Sequence, residues 1–204
     1  MNEREHAAVP VAPAAGEYFL DAPLDNPAVR KPLIALREIL ARVNAPFAQP
    51  EHAEVCTGSR ATSLGYVELV VTHPRVLPHI AVWCKAGDIW LFWTGGYRRT
   101  VRWDRTDEQI VEALLTGRNS MRTRRRLGQI LLTDAVFWAE DPEQPIANVK
   151  TRTPRYPPIR RAIAGLLPWP AAVLHTQLSF QHEAGSVYDS STFRAPPAPS
   201  CVKR

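Results

Sequence analysis

Pro78–Trp103 reads PHIAVWCKAGDIWLFWTGGYRRTVRW and holds four of the chain's six tryptophans: Trp83, Trp90, Trp93 and Trp103. Its β-prone residues, broken at Ala86-Gly87 and Gly95-Gly96, predict three consecutive antiparallel strands. A two-residue type I′ turn at Ala86-Gly87 demands φ > 0 at Ala86, which a Cβ disfavours. A three-residue loop Lys85-Ala86-Gly87, with Gly87 left-handed, avoids that strain. It pairs Trp83 with Ile89 and Val82 with Trp90. Both faces of the hairpin stay apolar in either register, so the hairpin is expected to be central and covered on both sides. The third strand alternates Tyr97, Arg99, Val101 and Trp103 against Arg98, Thr100 and Arg102. That pattern predicts an edge strand with one wet, basic face.

Outward from this stretch lie two helices. Asn26-Pro27 is a helix entry, an N-cap type followed by proline at the first helical position. Val29, Leu33, Leu36, Ile39, Leu40 and Val43 then recur at helical spacing, which predicts a helix over 27–43. Pro32 is expected in about the first turn, where a missing N–H matters least. Downstream, Thr106-Asp107-Glu108-Gln109 fits a capping box with Thr106 as N-cap and Gln109 at N3. Ile110, Val111, Leu114 and Leu115 make one apolar stripe, and Gly117 sits where a terminating glycine belongs. Between the first helix and the hairpin, 46–64 reads as loop with a short strand near Ala53–Cys56. Tyr66–His73 reads as a strand that Pro74 stops.

The expected fold is α+β: an antiparallel meander of about four strands flanked by two helices over 26–117. A disordered arm over 1–25, rich in alanine and proline, is expected to precede it. A basic, proline-rich and partly disordered C-terminal extension over 118–204 follows, with short helices near 127–141 and 159–167. Ten of the 19 prolines fall between Pro142 and Pro199, which sets the last third apart in kind.

Composition narrows the classes of function. The hydrophobic share of 45% supports a core, and no apolar run reaches the roughly 18 residues of a membrane helix. Three cysteines, Cys56, Cys84 and Cys201, argue against a disulfide framework and for a reducing compartment. The polar, proline-broken N-terminus lacks the pattern of a signal peptide, so a cytoplasmic location with no membrane partner is expected.

Catalytic patterns are missing: no G-x-S-x-G elbow, Walker A loop or G-x-G-x-x-G is present. His52, Cys56, His73, His79 and Cys84 lack the tight paired spacing of structural zinc sites, so no metal and no cofactor is expected. Cys56-Thr57-Gly58-Ser59-Arg60 invites comparison with the phosphatase loop that resembles C-x5-R, but the arginine arrives two positions early and Thr62 takes its place. An enzyme with an anion site in this Cys56 loop ranks third. The first expectation is a non-enzymatic interaction or accessory protein that binds a protein partner or a second copy of itself. It would use a sheet face and basic edge, with Trp90, Phe92 and Arg99 as surface residues. The alternative is nucleic-acid binding through Arg118, Arg122, Arg124, Arg125 and Arg126, aided by Arg98 and Arg102, in a chain of net charge +5.

Overall fold

The computed structural model describes residues 12–58, 66–74, 79–85, 87–94, 96–126, 129–152, 172–181 and 187–188. Its fold is α+β: two helices and two antiparallel sheets. Helix α1 (Pro27–Val43) begins as its sequence foretells, with the Asn26 side chain accepting from the Ala28 N–H at 3.0 Å. It ends at Asn44, which is left-handed (φ 44°) and donates its N–H to the Leu40 carbonyl at 2.9 Å. Pro32 sits in the second turn rather than the first, so the Ala28 carbonyl loses its intrahelical partner. Ahead of α1, part of the expected arm is core. Tyr18 and Phe19 are buried, and Arg37 donates to both of their carbonyls at 2.8 Å. The adjacent aromatic pair was the signal in an otherwise featureless stretch.

Strands β1 (Ala53–Gly58), β2 (Tyr66–Thr72), β3 (His79–Lys85), β4 (Asp88–Trp93) and β5 (Gly96–Thr100) form the first sheet in chain order. The meander thus has five strands, not four. The β3–β4 register pairs Lys85 with Asp88, Val82 with Leu91 and Trp83 with Trp90. This overturns the expected three-residue loop: only two residues lie between the strands, and Gly87 has φ +80°. The register sorts the residues cleanly. Ile80, Val82, Cys84, Ile89, Leu91 and Trp93 are buried in the core, while Trp83, Trp90 and Phe92 share the other face and are half-buried. The hairpin is therefore fully covered on one side only. Gly96 is fixed by a close approach, since a Cβ there would lie 2.6 Å from Nε1 of Trp93.

Helix α2 (Arg105–Thr116) starts two residues earlier than its sequence suggests. Asp104 is the N-cap: its carboxylate accepts from the Asp107 N–H at 2.9 Å, and the Asp107 carboxylate accepts from the Asp104 N–H at 3.0 Å. The box is thus closed by two aspartates, not by Thr106 and Gln109. Gly117 (φ +77°) ends the helix as expected.

The second sheet, ordered β10-β9-β6-β7-β8, lies where an extension with short helices was expected. Its strands are β6 (Asn119–Arg126), β7 (Gln129–Trp138), β8 (Pro145–Arg152), β9 (Ala172–Thr176) and β10 (Val187–Tyr188). The stretch read as a helix near 127–141 is mainly β7, because Thr133, Ala135 and Phe137 are buried at alternate positions, a period of two rather than 3.6. The helix expected over 159–167 lies outside the described residues.

One core joins both sheets. Met121, Ala135, Phe137, Leu178 and Phe180 belong to the same buried cluster as the α1 stripe and the inner face of the first sheet. Trp93 and Phe137 meet edge-to-face at 5.3 Å. Thr151 of β8 clamps the edge of β5, accepting from the Tyr97 N–H at 3.2 Å and donating to the Tyr97 carbonyl at 3.1 Å. Residues 177–181 tie the layers together. Asn119 donates to the Leu178 carbonyl at 2.7 Å and accepts from its N–H at 2.9 Å. The backbone of Phe180 bridges Leu115 and Phe47.

Candidate binding surfaces on the two sheets

The outer face of the first sheet is an aromatic layer. Trp83 lies opposite Trp90 and Phe92 opposite Ala81 across β3 and β4, and Phe92 is opposite Tyr97 across β4 and β5. Tyr66 reaches Trp83 with ring centroids 5.7 Å apart. Trp90 touches Trp83, Phe92 and Tyr97 at 6.4, 6.0 and 5.4 Å. All five rings are half-buried, and the first sheet's core residues lie on its other side. Two cations sit on the layer. The Arg99 guanidinium lies 5.3 Å from the centre of Trp90, and Lys85 Nζ lies 5.9 Å from that of Trp83. Arg99 is also paired with Asp88 at 2.8 Å. Trp90 and Phe92, expected on a surface, are thus together with Arg99. Trp83, Tyr66 and Tyr97 complete the layer, and only the true register reveals them.

Charge crosses this face in an ordered way. The central row runs Cys56, Glu68, Trp83, Trp90, Arg99 through all five strands. An acid stands on one side of the tryptophan pair and a base on the other. The next row places Lys85 beside Asp88.

The outer face of the second sheet is of another kind. Arg122 and Arg124 point outward and are exposed, and Lys150 joins them two strands away. Among the described residues none of these three is in an ion pair. Asp134 stands between Arg122 and Lys150 in the register, and His175 of β9 lies opposite Arg122. The backbones of Arg125 and Arg126 lie in β6 past a bulge after Arg124.

The remaining arginines of the expected cluster are placed elsewhere. Arg98 turns inward. Its guanidinium lies 3.1 Å from the Asp104 carboxylate and 2.8 Å from Oδ1 of Asp107, which is wholly buried. The second contact is close but poorly aligned for a hydrogen bond, so it acts as a charge pair. Burial raises Asp107 above the usual aspartate range, and Arg98 opposes that rise. Burial also acts to raise Asp104, but the Asp107 amide and Arg98 outweigh it and hold Asp104 below that range. Arg118 is similarly engaged: it pairs with Glu112 at 2.9 Å and donates to Thr116 Oγ1 and the Ala139 carbonyl. Arg102 is exposed beyond the end of β5.

The thiols differ sharply. Cys84 is buried, which pushes its thiol up to about 12. Cys56 is exposed, and residual burial, then Glu68 and Glu54, push its thiol upward. A nucleophilic cysteine needs the opposite shift. Residues 59–62 of the Cys56 loop lie outside the described residues. Among the described residues no group of three His, Cys, Asp or Glu is placed to hold a metal ion, and no helix is long and apolar enough to cross a membrane. No protein-family model, curated protein or solved structure matches the chain.

Proposed function

We propose that this chain is a non-enzymatic interaction protein whose partner surface is the outer face of the first sheet. The observation that supports this most is the half-buried layer of Tyr66, Trp83, Trp90, Phe92 and Tyr97 on the side away from the core. Aromatic residues with arginine are enriched at the centres of protein interfaces, where they bury area at little entropic cost. Site-specific photo-crosslinking in the cells that make the protein tests the reading. A photoreactive phenylalanine analogue at Phe92 is expected to give adducts, and the same group at Ser120 on the second sheet is not. Absence of adducts from Phe92 overturns the proposal.

A second reading is nucleic-acid binding by the outer face of the second sheet. It draws on the charges of Arg122, Arg124 and Lys150, which among the described residues are in no ion pair. Cations without internal partners are available to neutralise phosphates, and such binding is salt-dependent and largely blind to sequence.

A further inference from the structure

We infer that the occupant of the aromatic face is a second copy of this chain, packed sheet to sheet about a two-fold axis that runs along the strands between β3 and β4. This rests on the reading of that face as a partner surface and adds the partner's identity. Rotation about that axis exchanges β3 with β4 and β2 with β5, and it keeps each residue in its cross-strand row. In the central row it sets Glu68 against Arg99 of the other copy, and Trp83 against Trp90. In the next row Lys85 meets Asp88. In the row on the other side Ala81 meets Phe92, a small residue against a large one, and Val70 meets Tyr97. Four of these five meetings are complementary in charge or size, and in the fifth two tryptophan rings meet; the surface is thus self-complementary, as an isologous interface requires.

The charge balance of the face selects against a polyanionic occupant. Glu54, Glu68 and Asp88 accompany Lys85 and Arg99 on it, so a polyanion would meet more repulsion than attraction. Among the described residues Glu68 is in no ion pair, although it lies directly opposite Trp83. The partner's arginine would supply its missing countercharge. Sheets stack face to face at about 10 Å with their strands nearly aligned, which is the arrangement this axis gives. About this axis β1 lies outside the overlap, so strand spacing makes the shared face of four strands roughly 19 by 20 Å and the pair buries about 800 Å², the size of a weak, transient interface. A reversible dimer with a dissociation constant in the micromolar range is therefore expected.

Sedimentation equilibrium of the full chain from about 1 to 100 µM measures this directly. The wild type should pass from monomer to dimer within that range. Glu68→Arg alone and Arg99→Glu alone each place two like-charge meetings in the interface and should weaken association at least about tenfold. An equimolar mixture of the two variants should dimerise again, because a heterodimer restores opposite charge at both meetings. Glu68 and Arg99 are three strands apart within one chain, so rescue in the mixture can only be intermolecular. Should melting show that either variant fails to fold, Lys85→Asp mixed with Asp88→Lys repeats the exchange in the adjoining row. A wild type that stays monomeric, or a mixture no better than its components, overturns the inference. Adducts from Phe92 to a different protein, beside a monomeric wild type, would keep the interaction surface and remove the second copy. No adduct and no dimer would remove both.

Discussion

The two sheets share a core and differ on the faces that look away from it. The first presents stacked rings, with Arg99 already satisfied by Asp88 and the face of Trp90. The second presents Arg122, Arg124 and Lys150, in no ion pair among the described residues, around the acid Asp134. Half-buried rings are left with apolar surface to cover, which suits a fixed neighbour. Unpaired surface cations already have water, so covering them gains little unless the ligand brings negative charge. The same architecture thus offers one face suited to shape and one suited to charge.

The comparison holds only if the sheets are one folding unit, and Phe137 tests that with the largest effect. Its ring is buried on the second sheet and packs on Trp93 of the first. Phe137→Ala should cost about 3–4 kcal/mol. Far-UV and near-UV circular dichroism should still lose their signals in one urea transition, shifted to lower concentration. Two separate transitions would mean that the sheets fold independently and that their faces belong to different modules.

Arg98 and Arg99 sharpen the comparison within a single strand. They are neighbours in β5 on opposite faces. Arg98 faces the buried Asp107 and Arg99 faces water and Trp90. Arg98→Ala leaves a buried carboxylate without its countercharge and should cost about 2–3 kcal/mol, less than a fully buried pair because Arg98 is partly exposed. Arg99→Ala should cost less than about 1 kcal/mol. The cost of losing Arg98 should also depend on pH. Asp107 already lies above the usual aspartate value of 3.8, so its ionised form is disfavoured in the folded state. Loss of Arg98 raises it further. That cost is present near neutral pH and is relieved as the pH falls through the folded-state value, where the folded protein takes up its proton first. The deficit of Arg98→Ala against wild type should therefore narrow on acidification. Urea titrations near neutrality and near the usual aspartate value measure this.

These two arginines also show where sequence reading stops. Helix α1, its Asn26 cap, the Gly117 stop and the β2–β4 strands were legible, because periodicity and capping are local. The turn was not. The strain expected at Ala86 weighed against the register that the tertiary structure adopts, and one step of register decides which tryptophans share a face. For Arg98 and Arg99 the strand alternation was visible, but the buried carboxylate at the α2 cap was not. Strand β6 escaped for a different reason. Its inward residues are Asn119, Met121 and Thr123, which contrast little in polarity with Ser120, Arg122 and Arg124. A period of two was present with too little amplitude to read, and the basic run looked like a linker.

The smallest effect on stability carries the sharpest functional contrast. Arg122→Ala, Arg124→Ala and Lys150→Ala together remove exposed side chains that hold no ion pair among the described residues. Folding stability should change by less than about 0.5 kcal/mol for each. If the second face binds nucleic acid, affinity for random duplex should fall steeply with salt in the wild type. The slope against log salt should drop by about 3 in the triple variant, one for each lost phosphate contact. Glu68→Arg in the same assay should leave that slope unchanged, since it alters only the aromatic face. A slope that falls equally in both variants would show that the faces do not act separately. Salt-independent or absent binding by the wild type would leave the basic face as a solvated surface, and the aromatic face as the one with a partner to find.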